Sequence, residues 1–224
     1  MLASILAPLG PADDPMTERI LDAAYGQLLD FGIRNLSVEA AAKRVGIARI
    51  TIYRRFATKD ELLRAVLLRE GRRIFAEVDS VIAAVPMPDE QLVEGFAATF
   101  SAVRRHPLVR RTLTTEPEMV AAVMVSHGGP VIALAREYLA AHIRRGQAAG
   151  KLRTFDAEGV AELAVRVSLS FLLTPESCIP MEGDDDARSF ARHYLVPAFH
   201  SVGRSRPSRS GSQLPRSHEE RRRA

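Results

Sequence analysis

The sequence has 224 residues, of which 46% are hydrophobic and 26% charged, a composition typical of a folded globular protein with one large domain or a small domain joined to a larger one. A single cysteine, Cys178, excludes an intramolecular disulfide and a thiolate-rich zinc site. The net charge of +4 is weak support for nucleic-acid binding, because the segment after residue 202 alone contains seven arginines and two glutamates.

The two ends of the chain differ in composition from the rest. Residues 1–13 are mildly apolar and contain no Lys or Arg, so they lack the basic start of a signal peptide and are interpreted as a flexible leader. Residues 203–224 are rich in Arg and Ser and poor in apolar residues, which predicts a disordered tail. No run of eighteen apolar residues occurs, so we expect no membrane span, no membrane partner and a cytoplasmic location.

Helix-capping residues divide the first part of the chain into four predicted helices. The first begins at Asp14-Pro15 and stops at Gly32, and the second begins at Ser37 and stops at Gly46. A short third helix follows over residues 48–56. The fourth begins at a capping box formed by Thr58 and Glu61 and extends to about Ala84, before two prolines.

The rest of the chain has helical periodicity interrupted by Gly or Pro, and no long alternation of apolar and polar residues predicts a sheet. We therefore expect an all-α fold. The acidic run Asp184–Asp186 is interpreted as a helix N-terminus rather than a cation site, His127 beside two glycines as a loop residue, and Pro197 as a kink. The further predicted helices cover residues 89–105, 107–113, 117–126, 130–149, 156–174 and 184–202.

The second and third helices, joined by a tight turn over residues 46–48, have the pattern of a helix-turn-helix. Ile52 and Phe56 are four residues apart and share one face of the third helix, where they can pack against the second. Arg49, Ile50, Tyr53 and Arg54 then face outward, with Thr51 and Arg55 beside them. Between residues 43 and 59 there are six basic residues and no acidic residue. Clustered positive charge on a short element is typical of a nucleic-acid interface.

The outward residue types are suited to a DNA groove. Arginine donates to guanine edges or phosphates, Ile50 or Thr51 can contact a thymine methyl, and a tyrosine hydroxyl can donate to phosphate. Lys59 and Ser37 lie at helix N-termini, which favour phosphate, although Ser37 can also serve only as a cap. The alternative interpretation is a small helical bundle whose basic side chains are merely solvated and in which Tyr53 is half-buried packing.

Residues 46–63, Gly-Ile-Ala-Arg-Ile-Thr-Ile-Tyr-Arg-Arg-Phe-Ala-Thr-Lys-Asp-Glu-Leu-Leu, resemble the signature of the TetR/AcrR family of transcriptional regulators. Residues 17–24 and 31–32 resemble the first helix of that family, so the likeness covers about residues 16–64. It implies that Arg49, Ile50 and Thr51 face bases. It further implies contacts to phosphates or bases from Tyr53, Arg54, Arg55 and Lys59, and to the DNA backbone from Ser37. Ala48, Ile50 and Arg54 depart from the residues frequent in the family, which leaves the operator sequence open.

The helix predicted over residues 156–174 is apolar on all sides, which indicates burial on more than one side. The resemblance implies that it and the last helix pair with their copies in a homodimer; an ordinary core helix is the alternative. The resemblance further implies a small-molecule effector between about residues 89 and 149. Phe96, Phe100, Met119 and Met124 are possible wall residues or plain core, and no ligand-binding residue is assigned.

The sequence thus predicts a DNA-binding domain over residues 14–64 and a helical ligand-binding and dimerisation domain over residues 65–202. As a function we expect a ligand-responsive regulator, a repressor, that binds double-stranded DNA at a pseudo-palindromic operator as a homodimer. No catalytic motif, metal-ligand spacing or cofactor site is recognised, so we expect no enzyme and no cofactor. The alternatives are an architectural DNA binder without a ligand and an all-α enzyme that uses a cavity of the larger domain.

Overall fold

The computed structural model describes residues 14–201. All regular elements in this range are helices, which confirms the predicted all-α fold. The leader and tail predicted over residues 1–13 and 203–224 lie outside the described residues. The elements, in chain order, are α1 (Pro15–Phe31), α2 (Val38–Val45), α3 (Arg49–Tyr53), α4 (Lys59–Ala83), α5 (Pro88–Arg105), α6 (Pro107–Thr115), α7 (Pro117–Ala148), α8 (Ala157–Leu173), α9 (Asp184–Phe190), a π-helical turn (Ala191–Leu195) and α10 (Val196–Ser201).

The predicted N-cap residues of the first helices are confirmed, but the predicted capping box is only half formed, because the carboxylate of Glu61 accepts the backbone N–H of Ala57 and not that of Thr58. The carboxylate of Asp14 accepts the backbone N–H two residues on at 3.0 Å. The hydroxyl of Ser37 accepts an N–H of α2 at 3.2 Å, and that of Thr58 accepts the N–H of Glu61 at 3.0 Å. Ala48, at the start of α3, provides no side-chain cap. In each capped helix, a side chain accepts a hydrogen bond from one of the first backbone N–H groups. Helix α3 lacks such a bond, so packing alone fixes its start.

Helices α1 to α4 share one hydrophobic cluster, and α6 and α7 add Leu108 and Val123 to it. Residues 62–66 of α4 belong to this cluster, while the helix continues without a break to Ala83. The predicted domain boundary between residues 64 and 65 therefore falls inside a continuous helix, and the division into domains stays a prediction. The buried members from the first four helices include Ile20, Leu28, Ala41, Val45, Ile52, Phe56, Leu62 and Val66.

Helices α4 to α9 pack around a second apolar region. Phe75 of α4 stacks on Tyr138 of α7, with ring centroids 4.2 Å apart. Helix α8 packs along the second half of α7 through small residues such as Ala140 and Ala161, which let the two backbones come close. Phe190 of α9 packs on α5. This arrangement encloses the cavity described below.

Residues 117–148 form one helix, so the prediction of two helices over 117–126 and 130–149 is wrong. His127 lies within α7, and its interpretation as a loop residue is wrong as well. Pro130 removes one helical N–H and normally costs about 3 kcal/mol inside a helix. Gly129 before it has no β-carbon to clash with the proline ring. Packing of Val123 and Tyr138 on either side keeps the helix continuous.

By length and mean hydropathy alone, α7 is long and apolar enough to cross a membrane, although it contains no run of eighteen apolar residues. The apolar content of α7 has an explanation within the fold. Several of its side chains, among them Val131, Ile132 and Leu134, line the internal cavity described below. A helix that lines a cavity and also packs on neighbouring helices needs apolar residues on more than one face.

The final helix predicted over residues 184–202 is interrupted. Asp184–Asp186 form the first turn of α9, as predicted, and the helix then widens into a π-helical turn over Ala191–Leu195 before α10. Pro197 follows directly, so the irregularity arises where a proline cannot donate to the preceding turn. Among the described residues, no group of His, Cys, Asp and Glu is arranged to hold a metal.

Candidate nucleic-acid interface

The helix-turn-helix is held by the turn at Gly46 and by two inward side chains, Ile52 of α3 and Phe56 three residues after its end. Gly46 has φ +79° and ψ +34°, the left-handed conformation that glycine adopts without strain. Ile52 has no solvent exposure and Phe56 is 6% exposed, and both lie in the cluster with Ala41 and Val45 of α2. The predicted inward face of α3 is therefore confirmed.

The opposite face of α3 is exposed. Ile50 is 65% exposed and Tyr53 38%, although both are large apolar or aromatic side chains. The guanidinium carbon of Arg49 lies 5.6 Å from the centroid of the Tyr53 ring, so a cation–π contact orders the two side chains. Arg54 is exposed and Thr51 half-buried. This surface has the groove-facing shape and residue types expected from the sequence.

Arg55 and Lys59 are exposed, and each contacts another element. Arg55 donates to the carboxylate of Asp14 at 2.8 Å, which ties α3 to the N-terminus of α1. The ammonium of Lys59 donates to the carbonyl of Arg34 at 3.2 Å. The hydrogen bond from Arg55, followed by the backbone N–H of Met16, lowers the pKa of Asp14. Arg55 thus has a structural partner that sequence reasoning missed, since the pair is 41 residues apart.

Ser37 is clamped by a side chain that the sequence analysis did not single out. Gln27 of α1 accepts the backbone N–H of Ser37 at 3.0 Å and donates to its carbonyl at 3.1 Å. Gln27 is 3% exposed, so these two hydrogen bonds take the place of the bonds to water that its side-chain amide loses on burial. The start of α2 is thereby fixed relative to α1.

Two family models match separate parts of the chain. The model "Bacterial regulatory proteins, tetR family" matches residues 20–66, the region of the helix-turn-helix. The model "Bacterial Tetracyclin repressor, C-terminal domain" matches residues 88–192. The chain belongs to the TetR family. It is thus a member of a family of transcriptional regulators with a DNA-binding helix-turn-helix, not of an enzyme family.

Individual members of the TetR family are similar over most of the chain. The HTH-type transcriptional regulator Rv1255c of Mycobacterium tuberculosis is 28% identical, and the alignment covers 80% of this chain and 83% of that protein. The crystal structure of the TetR family repressor AlkX from Dietzia sp. has a TM-score of 0.63 at 24% identity and covers 86% of this chain and 99% of that one. The repressor QsdR of R. erythropolis has a TM-score of 0.63 at 23% identity, with 87% and 98% covered. These two structures establish the fold.

The helical part of this TetR-family chain contains a cavity of about 330 Å³. Phe96, Phe100 and Met124 line it, as the sequence allowed. Met119 does not line it; both methionines pack against the cluster of the N-terminal helices, and only Met124 also reaches the cavity. The wall also includes side chains of α4 and α8, so the cavity extends beyond the predicted region of residues 89–149. Its size is in the range of small-molecule sites.

Polar contacts connect the wall of this cavity to the helix-turn-helix. Glu70 and His106 line the cavity and lie 3.5 Å apart. Arg69, which is 6% exposed, donates to Glu70 at 3.0 Å and also to Asp22 of α1 at 2.8 Å. Burial raises the pKa of Glu70, but the hydrogen bond with His106 and the charges of the neighbouring arginines together bring it below its ordinary value.

Proposed function

We propose that this TetR-family regulator is a repressor that binds a pseudo-palindromic operator as a homodimer and releases it when a small molecule occupies the cavity. The observation that carries the proposal is the division of α3 into two faces. Ile52 is fully buried, whereas Ile50 and Tyr53 are exposed on the other side. An exposed face of this composition is explained if the major groove of DNA covers it.

Within this proposal the exposed residues divide into two roles. Arg49, Ile50 and Thr51, in the first turn of α3, contact base edges, because the start of a recognition helix enters the major groove. Phosphate contacts come from the rest of the surface and fix the register of the protein on the duplex. These residues are Ser37, Tyr53, Arg54, Arg55 and Lys59.

Exposed apolar residues near the C-terminal end support a dimer. Helix α8 was expected to be buried on more than one side, and in the single chain Leu163 is 59% and Leu173 42% exposed. Tyr194, in the π-helical turn, is 54% exposed. A second copy of the chain covers this surface and places two recognition helices about 34–36 Å apart, one turn of DNA.

The ligand response rests on the polar contacts between the cavity wall and α1. A ligand shifts the conformational equilibrium only by its difference in affinity for the two states. Glu70 and His106 line the cavity, and Arg69 joins Glu70 to Asp22. A ligand that displaces α4 or α5 therefore also changes the position of α1 and of the recognition helix.

The test is a selection of bound sequences from a random DNA pool with the full chain. We expect an inverted repeat whose half-sites lie about one helical turn apart. Arg49→Ala should relax the preference at one position of each half-site by roughly 1–3 kcal/mol. Lys151→Ala, an exposed cation in the loop after α7, serves as the matched control and should leave the selected sequence unchanged. A pool without an inverted repeat contradicts the dimeric operator.

A further inference from the structure

The cavity wall contains no Lys or Arg among the described residues. Within that part of the chain, its only Asp or Glu side chain is Glu70, whose carboxylate is already held by Arg69 and Arg73 at 3.0 Å each and by His106 at 3.5 Å. Neither arginine lines the cavity. A ligand with a carboxylate or phosphate would therefore meet no lysine or arginine in the wall, and the two wall histidines already face carboxylates of the protein, so its charge would be buried without a partner.

The polar side chains of the wall are occupied by bonds within the protein. The hydroxyls of the wall donate to helix carbonyls or to a carboxylate, and the amide of Gln91 donates to a carbonyl. The bonds are Gln91 to Val85 at 2.6 Å, Thr99 to Gly95 at 2.7 Å, Thr112 to Leu108 at 2.8 Å, Ser168 to Ala164 at 2.8 Å and Tyr138 to Asp79 at 2.8 Å. Among the described residues, the buried side-chain atoms without a hydrogen-bond partner belong to arginines and to His127, none of which lines the cavity.

Two other titratable groups of the wall already have hydrogen-bond partners within the protein. Burial raises the pKa of Tyr138, and the hydrogen bond to Asp79 raises it further. Burial lowers the pKa of His142, whose ring contacts the carbonyl of Tyr138 at 3.0 Å and the carboxylate of Asp79 at 3.1 Å. Over the described residues, the wall thus offers a ligand no charged group free of a partner and no fully buried side-chain donor without one.

We propose that the ligand of this cavity is an uncharged, predominantly hydrocarbon molecule; this rests on the ligand response proposed above and names its chemical class. An apolar cavity of about 150 Å³ binds benzene. At about 330 Å³, this cavity has room for a chain or fused ring about twice that size. Transfer of the hydrocarbon from water provides the affinity, at about 0.8 kcal/mol per buried methylene.

The test compares three ligands of equal chain length with the full chain at pH 8, below their micelle concentrations: 1-decanol, decanoate and decylammonium. Binding is measured by calorimetry and by the shift of the thermal unfolding midpoint. We expect 1-decanol to bind with one molecule per chain and at least about 100-fold more tightly than either ion, since burying an unpaired charge shifts a protonation equilibrium by several pKa units. Equal or tighter binding of an ion, or no binding of 1-decanol, overturns the proposal.

Two substitutions on α7 locate the binding. Ala135 lines the cavity, so Ala135→Phe should fill part of it and weaken 1-decanol at least tenfold. Ala121 is exposed on the same helix, so Ala121→Phe should leave the affinity unchanged. Unchanged binding to a folded Ala135→Phe variant contradicts the site. If that variant does not fold, the deciding measurement is the stoichiometry of the unsubstituted chain. No DNA is present in this assay, so its outcome is independent of the operator selection.

Discussion

The carboxylate of Glu116 accepts a hydrogen bond from the backbone N–H of Ile33 at 2.9 Å. The contact lies where α1 ends and α7 begins, so it joins the helix-turn-helix region to the helical region. Gly32 leaves room for this contact: a β-carbon there would lie 2.3 Å from the nearer oxygen of Glu116, so the carboxylate would have to move away from the N–H of Ile33. Gly32 also has φ +84° and ψ +173°, a region populated almost only by glycine.

Gly32→Ala should therefore destabilise the fold for two separable reasons. Backbone strain costs about 1–3 kcal/mol, and the clash with Glu116 adds to it. Gly46→Ala is the matched control, because Gly46 also has a positive φ but no atom within 4 Å of the point where a β-carbon would lie. In a Glu116→Ala background, the cost of Gly32→Ala should fall to that of backbone strain alone. Urea unfolding of these variants measures both contributions, and an unchanged cost would exclude the clash.

Ile50 and Ile52 provide a second prediction, because they are two residues apart and face opposite ways. Ile52→Ala removes a fully buried side chain and should cost about 2–5 kcal/mol of unfolding free energy. Ile50→Ala, at a position 65% exposed, should change stability by less than about 0.5 kcal/mol. Ile50→Ala should instead reduce affinity for the selected operator. Chemical unfolding and DNA titration of both variants make the comparison, and a loss of stability in Ile50→Ala would contradict the assigned faces.

The two faces of α3 and the helix starts were predictable because their signals are local. Asp14, Ser37 and Thr58 cap helices with their own side chains, and a spacing of four residues places Ile52 and Phe56 together. The long helix α7 was not predictable, because Pro130 is a strong local breaker. Its effect is overcome by packing contacts that exist only in the folded chain.

The same distinction holds for the candidate site. Exposure of Arg49, Ile50 and Tyr53 followed from helical periodicity. The ion pair of Arg55 with Asp14 joins residues 41 positions apart, and no pattern in the sequence indicates it. The wall of the cavity was only partly predictable. Whether Met119 or Met124 reaches the cavity depends on how α7 is rotated, and long-range packing decides that rotation.

Lys59 provides a third prediction, on the salt dependence of DNA binding. If each Lys59 of a dimer contacts one phosphate, Lys59→Ala should lower the slope of log affinity against log salt by about 0.9 per contact, or about 2 per dimer. The loss should be similar on operator and on unrelated DNA, since phosphates carry no sequence information. Lys151→Ala should keep the original slope. Titrations at several salt concentrations give the slopes, and equal slopes for all three proteins would remove Lys59 from the interface.

The pair of Asp14 and Arg55 predicts a dependence of stability on pH. The folded-state pKa of Asp14 lies below its ordinary value of 3.8, chiefly because Arg55 donates to it. Its stabilising contribution is therefore complete above that ordinary value and is lost as pH falls through the lower folded value. Asp14→Asn keeps a capping side chain but removes the charge. It should be less stable than the parent at pH 7, and the difference should shrink as pH falls below 3.8. Arg55→Met should reduce the same pH-dependent contribution to the unfolding free energy. Parallel curves of unfolding free energy against pH for all three proteins would show that the Asp14–Arg55 ion pair does not stabilise the fold.

Arg69 lies at the centre of the contacts between α4 and α1. Its side chain is 8% exposed and pairs with Glu70, whose side chain is 10% exposed, and with the more exposed Glu18 and Asp22. Arg73, one turn further along α4, contacts the same three carboxylates but is 49% exposed. The two arginines thus differ mainly in burial, which makes them a matched pair.

Arg69→Met should cost about 3–5 kcal/mol of unfolding free energy, because it leaves the buried carboxylate of Glu70 without its nearest buried cation. Arg73→Met should cost only about 0–1 kcal/mol, since water screens the exposed pairs. The pKa of Glu70 lies below its ordinary value of 4.5 in the folded protein, and without Arg69 burial should raise it. The deficit of Arg69→Met should therefore shrink as pH falls below about 4.5, where Glu70 takes up a proton in the variant before the parent. Urea unfolding from pH 7 to pH 3 measures this change, and a deficit that stays constant over that range would show that Arg69 acts through packing and not through its charge.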